Sequence, residues 1–311
     1  MLISPQTGKD FRTMSNLLIV FIILLYTMQS LFCRFYSMHA PGDARNTPFV
    51  FSVCTGAAVT LLTFCVNGFT YAPSPATLGL GILNAAILIG YNLSLIGATG
   101  CGSYSIAMIS VMFGGILIPL FCSVLFYHES LNAGQLIAIA IMLVAFVFLN
   151  SDGLLGRSKK EKEKISGKFV FYCVLVFLCN GAYGQLLSTQ QIVMASTQRS
   201  EMIMTTYFFA ALFALLTLLV LRGKATFESF RQSRKSLLWL ILCCVVIFGA
   251  LNLVMIMLNY INPAVFYTID NGGVLMMSVL CSCIFFKERF TLPKSIGVVL
   301  AVTSIVMLSV F

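Results

Sequence analysis

Ten long apolar runs, parted by short polar breaks, make up nearly the whole of this chain. They are Leu17–Phe35, Phe49–Phe69, Leu78–Gly97, Tyr104–Phe126, Leu131–Leu149, Phe169–Gln190, Met202–Leu221, Leu237–Leu258, Pro263–Phe286 and Leu292–Phe311. Each is close to the roughly 20 residues that cross a bilayer. None alternates apolar and polar positions as the strand of a membrane barrel does. A backbone in hydrocarbon has to satisfy its own N–H and C=O groups, so each run predicts a helix. The division into runs three and four rests on a short uncharged break around Gly97–Gly102. No small-residue cleavage site follows the first run and nine more spans come after it, so a retained helix is expected rather than a secretory leader.

The pattern is written twice. At a shift of 159, Phe126 meets Phe285, Glu129 meets Glu288 and Leu131 meets Phe290, while upstream Ser123 falls on Ser282 and Gly114 on Gly273. One gap earlier, Asn92-Leu93 falls on Asn252-Leu253. The expected organisation is therefore two five-helix units, residues 1–155 and 156–311. Five is odd, so the second copy has to enter the membrane upside down, and equivalent loops should then differ in charge. They do: Tyr127–Ser130 holds no Lys or Arg, whereas its counterpart bears Lys287, Arg289 and Lys294. Gly68–Thr77 is uncharged, whereas Arg222–Ser236 carries five basic residues. An all-α integral membrane protein of two inverted repeats is the predicted fold class. Inverted halves that pack about an in-plane pseudo-two-fold suit a carrier that rocks around a site near the midplane.

Composition agrees with the class. Hydrophobic residues make up 59% of 311 and charged residues 9%, with a mean hydropathy of +0.98, against about 25% charge in soluble domains. The net charge of +9 points to cytoplasmic loops rather than to nucleic acid. Sixteen of the nineteen Lys and Arg fall in or beside the odd-numbered loops, six of them in the mixed-charge linker Ser151–Lys168. Odd loops are expected in the cytoplasm of a plasma-membrane protein, with both termini outside; Lys9 and Arg12 oppose this weakly. The eleven cysteines lie almost all within spans, where they act as small apolar packing residues, and Cys281-x-Cys283 is a weak metal signal. No metal or other cofactor is expected.

The two half-ends, Phe126-Tyr127-His128-Glu129-Ser130-Leu131 before Gly134–Leu149 and Phe285-Phe286-Lys287-Glu288-Arg289-Phe290 before Ile296–Leu308, carry a family likeness. The chain resembles the drug/metabolite transporter superfamily, specifically its EamA-like branch, over essentially its whole length. That resemblance implies a ten-helix fold and secondary transport of small metabolites or drugs, often outward, and it names no substrate. Pro119 in helix 4 has Ser278 as its counterpart, so the mid-helix proline common in that family is absent from one half.

Glu129 and Glu288 sit in short turns just ahead of helix starts, where a carboxylate suits the free N–H groups and the macrodipole; a structural turn role is expected for both. Asp270 differs. It lies seven residues from Pro263, roughly 10 Å into the span at 1.5 Å per residue, where a charged Asp costs on the order of 2.5–3.5 kcal/mol. Its counterpart is Val111, so the fold does not itself require an acid there. Two readings stand: a coupling or substrate-orienting group, which exchanges a proton as the site opens to either side, or a protonated Asp hydrogen-bonded to a neighbouring helix. Asn271-Gly272-Gly273 follows and could open a local break, and Tyr267 shares the face.

Two polar stripes also point inward by spacing: Tyr26, Gln29, Ser30, Cys33 and Ser37 on helix 1, and Asn180, Gly184, Ser188 and Gln191 on helix 6, with Tyr183 and Gln185 beside them. Cavity lining and plain helix packing explain them equally. Asn84 and Tyr91, seven apart on helix 3, could meet the same cavity. Asn92 and Asn252 are kept in both halves, which favours structure. Arg34 ends helix 1 and either snorkels to headgroups or draws anions to the inner mouth. The substrate-binding or coupling set is thus Asp270, Asn271, Tyr267, Gln29, Asn180, Tyr91 and Asn84.

No G-x-x-x-x-G-K-[ST] occurs, and His39 and His128 stand apart, so gradients rather than ATP would drive transport. The expected partners are a small solute, protons and the lipid bilayer, with no nucleic acid, and the protein as a monomer or homodimer. A membrane enzyme or lipid-handling protein using Asp270 is the alternative, though no His, Glu or Lys lies at depth beside it. A non-transporting scaffold or sensor leaves the paired halves unexplained.

Overall fold

The computed structural model describes residues 5–39, 46–101, 104–128, 130–150, 166–194, 196–222, 233–286 and 291–310. The 155/156 boundary, Glu129, Glu288 and most of the basic linker lie outside the described residues. Ten α-helices follow one another: α1 Pro5–His39, α2 Thr47–Val66, α3 Pro75–Cys101, α4 Tyr104–Leu125, α5 Ala133–Leu149, α6 Gly167–Ile192, α7 Arg199–Arg222, α8 Arg234–Met257, α9 Pro263–Phe286 and α10 Leu292–Val310. A short 3-10 turn, Ser196–Gln198, precedes α7, and no strand occurs among the described residues. Nine of the helices are long and apolar enough to cross a membrane. The remaining one, α5, has 17 residues, about 26 Å at 1.5 Å per residue, slightly under a hydrocarbon core of about 30 Å.

The helix starts follow from local chemistry. In α5 the Asn132 side chain accepts from Gln135 N–H at 2.8 Å while Gln135 Oε1 accepts from Asn132 N–H at 3.1 Å, a reciprocal capping box. It places the helix start two residues inside the apolar run that begins at Leu131. Ser166 and Ser233 cap α6 and α8 through their hydroxyls. Asn262 Oδ1 accepts from Ala264 N–H at 2.8 Å ahead of α9, which opens on Pro263, a residue with no N–H to leave orphaned. The break expected around Gly97–Gly102 is narrow, because α3 runs on to Cys101 and α4 begins at Tyr104.

The outward faces are apolar, as a lipid solvent requires. Leu17, Val20, Phe21 and Leu24 on α1, and Val170, Phe171, Val174 and Leu178 on α6, are exposed at three- and four-residue spacing. Inside, α1 packs along α8, α3 along α6 and α7, α4 along α6, α2 along α7, and α5 along α10, while α9 touches α1, α4, α5 and α10. Trp239 of α8 stacks on Phe35 of α1 with ring centroids 4.6 Å apart. Lower on the same seam, Cys33 and Cys243 bring their sulfurs to 3.8 Å. The paired Asn92 and Asn252 are structural in their contacts: Asn92 Nδ2 donates to Ser52 Oγ on α2 at 3.0 Å, and Asn252 Nδ2 donates to Phe248 O of its own helix at 2.9 Å.

One end of the bundle is laced by polar side chains. It is the end carrying the α2–α3, α4–α5, α6–α7 and α8–α9 connections. Gln198 Oε1 accepts from Ser74 N–H at 2.9 Å and from Thr77 Oγ1 at 2.7 Å, and Thr77 in turn accepts from Gln190 Nε2 at 3.1 Å. Asn259 Nδ2 donates to Gln191 Oε1 at 3.0 Å. Tyr127 OH accepts from Gln185 Nε2 at 2.6 Å and shares a hydrogen bond with Thr189 at 2.9 Å. Tyr71 OH pairs with Thr205 at 2.9 Å. Toward the opposite end Ser233 Oγ donates to His39 O at 3.4 Å. Gln198→Ala is expected to lower unfolding stability in detergent by about 1–3 kcal/mol, because fully buried Thr77 loses its acceptor. A melting curve unchanged from the parent would show that this lacing contributes nothing.

Candidate solute cavity

Where the inner faces of seven helices meet, they leave a cavity of about 340 Å³, at the low end of the roughly 300–1,000 Å³ of ligand pockets. Its walls come from Tyr26, Gln29 and Ser30 of α1, Leu88 and Tyr91 of α3, and Val111, Met112 and Gly115 of α4. From the second half come Asn180, Tyr183, Gly184 and Leu187 of α6, Tyr207 of α7, Ile247, Leu251 and Val254 of α8, and Tyr267, Asp270, Asn271 and Val274 of α9. No described residue of α2, α5 or α10 is part of the lining. Both halves therefore build one chamber.

Asp270 is 7% exposed, and its Oδ1 has no hydrogen-bond partner. Among the described residues it is the one charged side chain in the lining; the other titratable groups there are the tyrosines Tyr26, Tyr91, Tyr183, Tyr207 and Tyr267. A buried carboxyl oxygen without a partner forgoes a bond that native structures almost always make.

The neighbours of Asp270 are held in place by the backbone. Tyr267 OH donates to Gly184 O of α6 at 2.7 Å, with Ser188 Oγ 3.5 Å away. Asn180 Nδ2 donates across to Val111 O of α4 at 2.8 Å, and Asn271 Nδ2 to Tyr267 O one turn back at 2.8 Å. Both carboxamides converge on Gly115, where a Cβ would lie 2.8 Å from Asn180 Nδ2 and 3.2 Å from Asn271 Nδ2. Any larger residue at 115 would displace them. Tyr183 and Tyr207 bring their hydroxyls to 3.5 Å.

Six of the seven residues singled out from sequence line the chamber: Asp270, Asn271, Tyr267, Gln29, Asn180 and Tyr91. Asn84 does not. It is fully buried, with neither amide atom hydrogen-bonded, on the stretch of α3 where Gly81 packs tightly on Thr205 of α7. The two polar stripes divide the same way. Tyr26, Gln29 and Ser30 face the chamber while Cys33 packs on α8 and Ser37 is spent on Arg34 O. Asn180 and Gly184 face it while Ser188 bonds within its helix and Gln191 bonds Asn259.

The break anticipated at Asn271-Gly272-Gly273 is not present: α9 runs unbroken from Pro263 to Phe286. The two glycines instead admit neighbours, Gly272 the Met142 side chain of α5 and Gly273 that of Ile23 on α1. Tyr207 was not singled out from sequence. It sits in the run Thr205-Thr206-Tyr207-Phe208-Phe209, and only the α7 crossing shows which of these aromatic residues turns inward.

No family model matches this chain, and no curated protein matches it. Among solved structures, 29 chains match. One is a crystal structure of a protein that superposes with a TM-score of 0.74 over 96% of this chain and 98% of that one, at 14% identity. At that identity the likeness concerns the fold.

Proposed function

We propose that this protein is a secondary transporter of the EamA-like branch of the drug/metabolite transporter superfamily, moving a small polar or amphipathic solute outward across the plasma membrane by alternating access. The observation that carries the reading is the mid-bundle chamber walled by both halves, with one buried carboxyl oxygen left without a partner. Asp270 is the coupling or orienting group; Tyr267, Asn271, Asn180, Gln29 and Tyr91 shape the site around it. An enzyme would need a second acid or base beside Asp270, and among the described residues the lining supplies only tyrosines for that role.

The helix pairing supports inverted halves. Exchanging α1 with α6, α2 with α7, and so on to α5 with α10 turns the α1–α8 pair into α6–α3, and the α4–α6 pair into α9–α1. It returns α2–α7, α4–α9 and α5–α10 to themselves, and each of these packings occurs. Odd-numbered loops are cytoplasmic in this reading. Reporter tags inserted after Gly153 and after Gly223 are expected inside and one after Ala72 outside; tags from the first two on different sides would dismantle the inverted arrangement.

The direct test is counterflow of labelled metabolites in proteoliposomes of the full chain, with and without a pH step. Saturable exchange that collapses when the chamber is altered at Gly115→Leu is expected. No exchange of any solute across amino acids, nucleosides and amines would remove the transporter reading.

A further inference from the structure

We infer that the chamber is selective for organic cations, specifically a protonated or quaternary amine on a compact apolar body. The inference rests on the transporter reading for the act of carriage but not for the act of binding. Two buried side-chain atoms of the lining have no partner, Asp270 Oδ1 and Gln29 Oε1. Both are acceptors. The donors next to them are partly committed: Asn180 and Asn271 each give an amide proton to a backbone carbonyl, and the Tyr267 hydroxyl gives its only one to Gly184 O. An acceptor left over in a dry site calls for a donor from the ligand.

Charge decides which donor. Among the described residues the lining holds one carboxyl and no Lys, Arg or His. A carboxylate or phosphate ligand would meet like charge with no cation to offset it, which low dielectric makes severe. A neutral sugar would face Leu88, Leu187, Ile247, Leu251, Val254 and Val274, leaving many of its hydroxyls unpaired. An ammonium places its N–H groups on Asp270 and Gln29 and its charge near tyrosine rings, five of which line the chamber. Ring faces attract cations by about 0.5–2 kcal/mol each when water is excluded. A quaternary ammonium keeps the charge and ring contacts without the hydrogen bonds. The aliphatic side chains of α3, α6, α8 and α9 then cover the apolar body.

The test is equilibrium binding and counterflow by the full-length protein in nanodiscs and proteoliposomes, with four probes on one phenyl frame: 2-phenylethylamine, its N,N,N-trimethyl derivative, 2-phenylethanol and 3-phenylpropanoate. The two cations should bind saturably, at least tenfold more tightly than the alcohol or the carboxylate. Asp270→Asn should weaken cation binding at least tenfold, and Asp270→Glu, which keeps the charge, should retain most of it. If the alcohol or the carboxylate binds as well as the amines, if no probe binds, or if Asp270→Asn binds amines like the parent, the cation inference is overturned. The comparison among probes on the unaltered protein decides this even where a variant fails to fold. Counterflow separates the two readings. Asp270-dependent amine binding without exchange would keep the cation site and discard transport, whereas exchange of the carboxylate or alcohol alone would keep transport and discard the cation site.

Discussion

Asp270→Asn is expected to abolish flux driven by a pH step, at least tenfold down to the background of empty vesicles, while the protein remains folded and monodisperse. The first half of this expectation follows from the proposed mechanism: among the described residues Asp270 is the one carboxyl in the lining, so its loss would remove the group proposed to gain and release a proton between the two faces. The second half follows from what Asp270 does not do. Its Oδ1 makes no hydrogen bond, so an amide of the same shape breaks no contact there. A charged Asp deep in a span costs on the order of 2.5–3.5 kcal/mol, and replacing it relieves whatever part of that cost the native state bears. The melting temperature should stay level or rise, the signature of a residue kept for activity at the expense of stability. Two results would count against the role. Unchanged pH-driven flux would remove coupling from Asp270, and a variant that aggregates would favour the alternative in which a protonated Asp270 ties α9 to a neighbouring helix.

Gly181→Val should strongly impair folding through the α4–α6 seam. There Gly181 faces Gly114 across the crossing. A Cβ at Gly181 would overlap the Gly114 carbonyl oxygen and sit 2.5 Å from Ile118 Cβ, and a Cβ at Gly114 would overlap the Phe177 backbone. In lipid, close approach through small residues is a main source of helix association, since apolar burial gives little advantage over the tails. Backbone cannot shift aside as the tip of a flexible side chain can, so the cost should exceed the roughly 1–3 kcal/mol of ordinary overpacking. The seam also fixes Asn180, one residue before Gly181, on Val111 O, so the chamber should be lost with it. Gly79→Val is the control: a Cβ there meets nothing within 4 Å, and its effect should stay within about 1 kcal/mol. Yield of monodisperse protein and thermal unfolding in detergent read both. A well-folded Gly181→Val would mean that α4 and α6 do not cross at these glycines.

The membrane class and the helices were legible in the sequence because hydrophobicity is a property of each residue in turn. A run of about 20 apolar residues has no alternative to a helix in a bilayer, so the ten runs became ten helices. Asp270 was legible too: an acid seven residues into a span stands out without knowing its neighbours. Six of the seven candidate lining residues met at one chamber because polar side chains in lipid turn toward each other or toward a cavity.

What the linear pattern did not contain was which turn of each helix reaches that chamber. Asn84 and Tyr91 share a face, yet Tyr91 lines the chamber while Asn84 is packed away, fully buried. Tyr207 and the unbroken course of α9 through Gly272-Gly273 were equally invisible, because periodicity gives the direction of a side chain but not the partner opposite it. Composition along the chain therefore determined the solvent, the helices and the one acid out of place. Crossing points, set by glycines that let two backbones touch, decided which polar groups share a space and which atom in it still lacks a partner.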